Sequence, residues 1–166
     1  MPTGPAARIL DKVVHPLPGQ LLPGPGSPNV LIGFLPAWRG VPAAAAAALQ
    51  GAKQVSDTVI QVAQAATIAA AGTPGAPAAK AAEEATKATC AAVMGNLITA
   101  SAGGADIHAC LTPLPIPPHG PGVVINGSAT VQINLLPASR MSDTVLEAVG
   151  PPDIIIKGDM TVIIGG

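Results

Sequence analysis

Residues 26–39, GSPNVLIGFLPAWR, return without a gap at 127–140 as GSATVQINLLPASR, with eight of the fourteen positions identical. A third, shorter copy, GDMTVIIG, lies at 158–165 in the same register, and the closing Pro-Ala-x-Arg also stands at Pro5-Ala6-Ala7-Arg8. Repetition of this kind restricts a chain to architectures that stack or close near-copies of one unit. Spacings locate the irregularities. Pro5 to Pro36 is 31 residues and Gly127 to Gly158 is 31, but Pro36 to Pro137 is 101, so the middle interval carries 70 extra residues. Asp11 precedes Gly26 by 15 and Asp143 precedes Gly158 by 15, whereas Asp106 precedes Gly127 by 21. Six extra residues therefore fall in the second unit's loop, and the remaining 64 fall between Arg39 and Asp106.

Within the units, the branched runs VLI, VVIN, VQINLL, DIII and TVII favour strands. Segments such as HPLPGQLLPGPGSP hold too many prolines for a ladder or a helix and are expected as extended loops. The pairs Arg8/Asp11 and Arg140/Asp143 recur three residues apart and are read as structural ties between units. The fold expected is mainly β: three pseudo-symmetric β-units, carrying an inserted helical hairpin. The β part comprises 1–41 and 105–166, the insertion 42–104.

The insertion differs sharply in composition. Alanine, the best helix former, supplies 24 of the 61 residues from 43 to 103. Leu49, Val55, Val59 and Val62 keep helical spacing, as do Cys90, Val93 and Leu97, and Gly72-Thr73-Pro74-Gly75-Ala76-Pro77 reads as a helix stop and restart. Glu83 and Lys87 form an i, i+4 pair expected on the outer face. Lysines and carboxylates interrupt both arms, so neither is expected to span a membrane. Replacing 43–103 by a short linker is expected to leave the β part folded.

Net charge is −1 with 10% charged residues, which argues against a nucleic-acid partner. No secretory leader is expected at the N-terminus, and two cysteines in such a chain favour reduced thiols or a metal over a disulfide. The three histidines converge with one cysteine in the repeat alignment. His15 follows Asp11 by four and Cys110 follows Asp106 by four; His108 lies two residues before Cys110, and His119 ends the same loop. Three imidazoles and a thiolate match a closed tetrahedral zinc site, with no position left for a catalytic water. Unrelated loop histidines with a buried free cysteine, or a Cys90–Cys110 disulfide, are the alternatives. Cys90 falls on the apolar stripe of the second inserted helix, as a reduced core residue would. Glu147 holds the equivalent position in the third unit and is expected to be solvated. No nucleophile elbow, phosphate loop or paired-carboxylate motif points to an enzyme.

The Pro-Ala-x-Arg tails and the three units resemble the PAAR-repeat family, which forms the conical tip on the spike of contractile injection machines. The resemblance covers about 100 residues and excludes the hairpin. It implies a small cone with one structural zinc per chain near its apex, held here by His15, His108, Cys110 and His119. It further implies a membrane-piercing cap, one copy per trimeric β-helical spike, in a type VI secretion system or a phage-tail-like particle. Such a cap would assemble in the bacterial cytoplasm, leave with the particle, and touch the target membrane transiently. The alternative role is an adaptor that docks an effector or chaperone through the hairpin.

Overall fold

Proline and glycine cut the β segments short, and the computed structural model, which describes residues 2–14, 19–109 and 120–166, contains many brief strands. Before the helices come β1 (Gly4–Ala6), β2 (Lys12–Val13), β3 (Gly19–Gln20), β4 (Pro23–Gly24), β5 (Leu31–Ile32) and β6 (Leu35–Pro36). Helices α1 (Ala43–Ala69) and α2 (Ala76–Ser101) follow. Next are β7 (Ile107–Ala109), β8 (Pro121–Val124), β9 (Gln132–Ile133) and β10 (Leu136–Pro137). The chain closes with β11 (Thr144–Glu147), β12 (Asp153–Ile154) and β13 (Asp159–Ile164). The described residues are mixed, 35% helical and 28% strand in several small antiparallel sheets, so the mainly β expectation holds only in part. The reason is length: among the described residues no strand exceeds six residues, whereas the helices run for 27 and 26.

The three Pro-Ala-x-Arg segments hydrogen-bond to one another in a closed cycle. The amide of Trp38 donates to the carbonyl of Ala7 at 2.9 Å, that of Ser139 to Trp38 at 3.0 Å, and that of Ala7 to Ser139 at 2.9 Å. A second cycle runs beside it, from Ile9 to Pro36, from Gly40 to Pro137 and from Met141 to Pro5. Each proline also pairs with the same repeat position of a partner strand: Pro36 with Leu31, Pro137 with Gln132 and, from the other end of the chain, Pro5 with Ile163. Small side chains at Ala6, Ala37 and Ala138, all fully buried, let the three backbones meet, and Ile32, Ile133 and Ile164 close around them. Trp38, fully buried, fills the adjoining core with Ala7, Val13, Leu21, Val124, Val145 and Ile155.

Arginine–aspartate clamps repeat with the same period. Asp11 receives the amide of Arg8 at 2.8 Å, Asp106 that of Arg39 at 2.8 Å, and Asp143 that of Arg140 at 2.7 Å. Each guanidinium also meets its aspartate, Nη2 to Oδ1, at 3.1, 2.8 and 3.1 Å. The pairs therefore close a turn within a unit rather than tie unit to unit; contacts outward are additional, such as Arg8 Nη1 to Asp159 at 2.7 Å. In two cases the turn is two residues long and uses left-handed backbone at Leu10 and Ser142. In the third, α1 and α2 stand between Arg39 and Asp106, yet the Asp106 amide still donates to the Arg39 carbonyl at 3.0 Å.

The hairpin stops and restarts where its glycines and prolines dictate, with Gly72 left-handed after α1 and Pro77 in the first turn of α2. Its base packs on a five-stranded antiparallel sheet of order β12-β11-β8-β7-β4. Leu49, Met94 and Ile98 bury there against Val123, Leu136 and Leu146, so the hairpin shares the largest core with the β part. Glu83 is not on the outer face: it is buried, and hydrogen bonds from Lys87 and Thr67 hold its carboxyl down to about 2. Among the described residues no helix is long and apolar enough to cross a membrane.

Candidate metal centre

Of the four ligands expected from sequence, His15, Cys110 and His119 lie outside the described residues, and His108 lies on β7. Its imidazole is 1% exposed. His108 and Glu147 both pair with Gly122, from opposite sides of β8. A side chain at position 122 would crowd this meeting: a Cβ there would lie 3.1 Å from Glu147 Cγ and 2.9 Å from Val145 Cγ1. With only hydrogen at that position, His108 Nε2 and Glu147 Oε1 approach to 3.5 Å.

Glu147 lies two residues beyond Val145 along β11, and Asp153 lies on β12 opposite Val145. Side chains two apart on a strand share a face. The face of Val145 is the core that holds Trp38 and Ile155, and Glu147 stands one step along it. The solvated Glu147 expected from sequence is thus corrected: it is fully buried, and Asp153 is 5% exposed. Burial, and then the neighbouring charge and hydrogen bond of Asp153, push the Glu147 carboxyl up to about 9. Lys53 acts in the opposite direction from α1, where its ammonium donates to Asp57 and to the Gly150 carbonyl.

One ligand atom from each of His108, Glu147 and Asp153 lies within 4.8 Å of the others, and the cluster could hold a metal ion. Two donors at about 2.1 Å from one ion in tetrahedral geometry lie about 3.4 Å apart, close to the 3.5 Å between His108 and Glu147. An imidazole with two carboxylates suits zinc and the harder first-row divalent ions alike. Asp153 has no counterpart in the sequence-level ligand set. The available signal was Glu147, which occupies the repeat position held by His15 and Cys110; an acid there reads equally as surface until the strand pairing is known. No family model, no curated protein and no solved structure matches this chain.

Proposed function

We propose that this chain is the tip of a contractile injection machine's spike, a small cone with a structural zinc that caps a trimeric β-helical shaft. In this reading 1–41 and 105–166 form the cone and 42–104 the appended hairpin. The observation that carries the reading is the closed cycle of backbone hydrogen bonds through Pro5–Arg8, Pro36–Arg39 and Pro137–Arg140. A monomer whose three segments repeat around a ring offers a trimer three near-copies of one surface. The zinc would be held by His108 together with His15, Cys110 and His119, fixing loops that have little core of their own.

The docking face follows from the hairpin tips. Gly33-Phe34 and Asn134-Leu135 are two-residue loops with positive φ at both positions, the geometry that right-twisted hairpins prefer. Asn-Gly would suit such a loop, yet Phe34 is 96% exposed and Leu135 is 87% exposed, each in left-handed backbone that costs a bulky residue roughly 1 kcal/mol. Leu31 and Ile163, aligned in the repeat, are exposed as well. Apolar residues kept at strained, solvent-facing positions are suited to burial against a partner. Phe34→Gly and Leu135→Gly should each raise the free protein's stability by about 1 kcal/mol, while affinity for the trimeric spike falls at least tenfold. Urea unfolding and titration calorimetry read the two effects, and unchanged affinity in the double variant would count against this face.

The adaptor reading has one observation in its favour. Val55, Val59, Val93 and Leu97 line an apolar cleft between the helices, with no charged residue in its wall. A helical segment of an effector or chaperone would fit such a groove.

A further inference from the structure

We infer that an exposed ridge formed by Leu10, Lys12, Val14, Ile154, Ile156 and Lys157 binds the surface of a bilayer rich in anionic phospholipid. The inference deepens the spike-tip reading by naming the part of the chain that would meet a target membrane. It rests on that reading for its purpose only, since lipid binding is measured on the free chain.

Strand pairing builds the ridge. Val13 bridges Ile155, and both are buried. The Val14 amide donates to the Ile154 carbonyl at 2.8 Å, and the Ile156 amide to the Lys12 carbonyl at 2.9 Å. One residue along from an inward pair, side chains turn outward. Val14 therefore stands beside Ile154, and Lys12 beside Ile156, on the solvent face. Leu10, two residues before Lys12, extends the row, and the four apolar residues are 44% to 50% exposed. Leu10 holds left-handed backbone at a turn where the third repeat places Ser142, so a bulky apolar side chain stands where a small polar one suffices. None of these residues belongs to the hairpin tips assigned to the spike.

Charge selects the occupant. Asp11, Asp106, Asp143, Glu147 and Asp153 are buried, and Asp159 is tied to Arg8 at 2.7 Å. Among the described residues, Lys12 and Lys157 are then the exposed charged side chains of the β part, and both belong to the ridge. The net charge of −1 conceals this cationic face. Lysine is depleted where proteins bury surface against one another. At a bilayer its stem lies along apolar neighbours while its ammonium reaches the phosphates. Apolar side chains interleaved with lysine therefore match an anionic lipid surface better than a protein partner.

The test sediments the full chain with vesicles of phosphatidylcholine alone, and of phosphatidylcholine with about one third phosphatidylglycerol. Binding to the mixed vesicles should be at least about tenfold stronger and should weaken as salt is added. Lys12→Gln and Lys157→Gln should each lower it about fivefold. Ile154→Ser with Ile156→Ser should lower it at least about tenfold. Lys80→Gln removes the same charge from the hairpin and should leave binding unchanged. Trp38 emission reports whether each variant is folded, and the two lysine variants decide the matter if the isoleucine pair is not. Equal binding to both vesicles, no binding to either, or equal losses from Lys80→Gln and Lys12→Gln would overturn the inference. So would self-association of the free chain that Ile154→Ser with Ile156→Ser abolishes, which would give the ridge to a second copy. Each of these results leaves spike docking through Phe34 and Leu135 standing, because that is read separately by affinity for the spike.

Discussion

Excising the hairpin, with Arg39 rejoined to Asp106 through a two-residue turn like Ile9-Leu10, should destabilise the protein by about 5 kcal/mol. The splice itself is sound, because the Asp106 amide already donates to the Arg39 carbonyl as Asp11 does to Arg8. The loss comes from the core. Val123, Leu136 and Leu146, each 7% exposed or less, pack against Leu49, Met94 and Ile98, and excision gives that face to water. Uncovering one large apolar side chain completely costs roughly 1.5–3 kcal/mol. Three partial exposures therefore approach the whole stability of a small domain, about 5–15 kcal/mol. Where the repeat alone leads to an undisturbed β part after excision, the shared core leads to the expectation of a weakened one. Urea unfolding followed by Trp38 fluorescence provides the measurement, and an excised chain as stable as its parent would refute the shared core.

Asp106→Ala should cost about 3–5 kcal/mol, the range for stranding one member of a buried ion pair. Asp106 is fully buried and accepts four hydrogen bonds: the amides of Gly26 and Arg39 at 2.8 Å, Arg39 Nε at 3.0 Å and Arg39 Nη2 at 2.8 Å. Its removal leaves a guanidinium that is 8% exposed without that counter-charge. Asp11→Ala should cost distinctly less, since Arg8 keeps Asp159 at 2.7 Å and is more exposed. Replacing Arg39 and Asp106 together by Met and Leu should recover part of the loss, with the two orphaned amides accounting for the remainder. The same urea experiment measures all of these, and equal costs at Asp11 and Asp106 would contradict the ordering.

Much of this arrangement was legible in the sequence because repetition records position. The 31-residue spacing and the Arg-to-Asp interval placed the insertion between Arg39 and Asp106, where α1 and α2 lie, and the Ala-rich arms with their glycine–proline break declared the hairpin. Two kinds of information were not legible. The mainly β expectation held only in part because runs such as VLIGFL and VQINLL are broken at the left-handed turns Gly33-Phe34 and Asn134-Leu135 into two-residue strands. Facing was misjudged at Glu83 and Glu147, where an isolated acid in a polar context reads as surface. Both are buried by partners distant in sequence, Thr67 in one case and His108 in the other. Asp153 escaped notice because its role depends on the pairing of β12 with β11, which no local pattern announces.

The central claim is that three repeats in one chain substitute for three subunits. It is tested most directly by native mass spectrometry of the chain with the trimeric spike protein that the proposed function calls for. One chain per spike trimer is the predicted mass, reached from a monomeric free protein and unchanged by excess. Three chains per trimer, or no complex at any ratio, would contradict the claim.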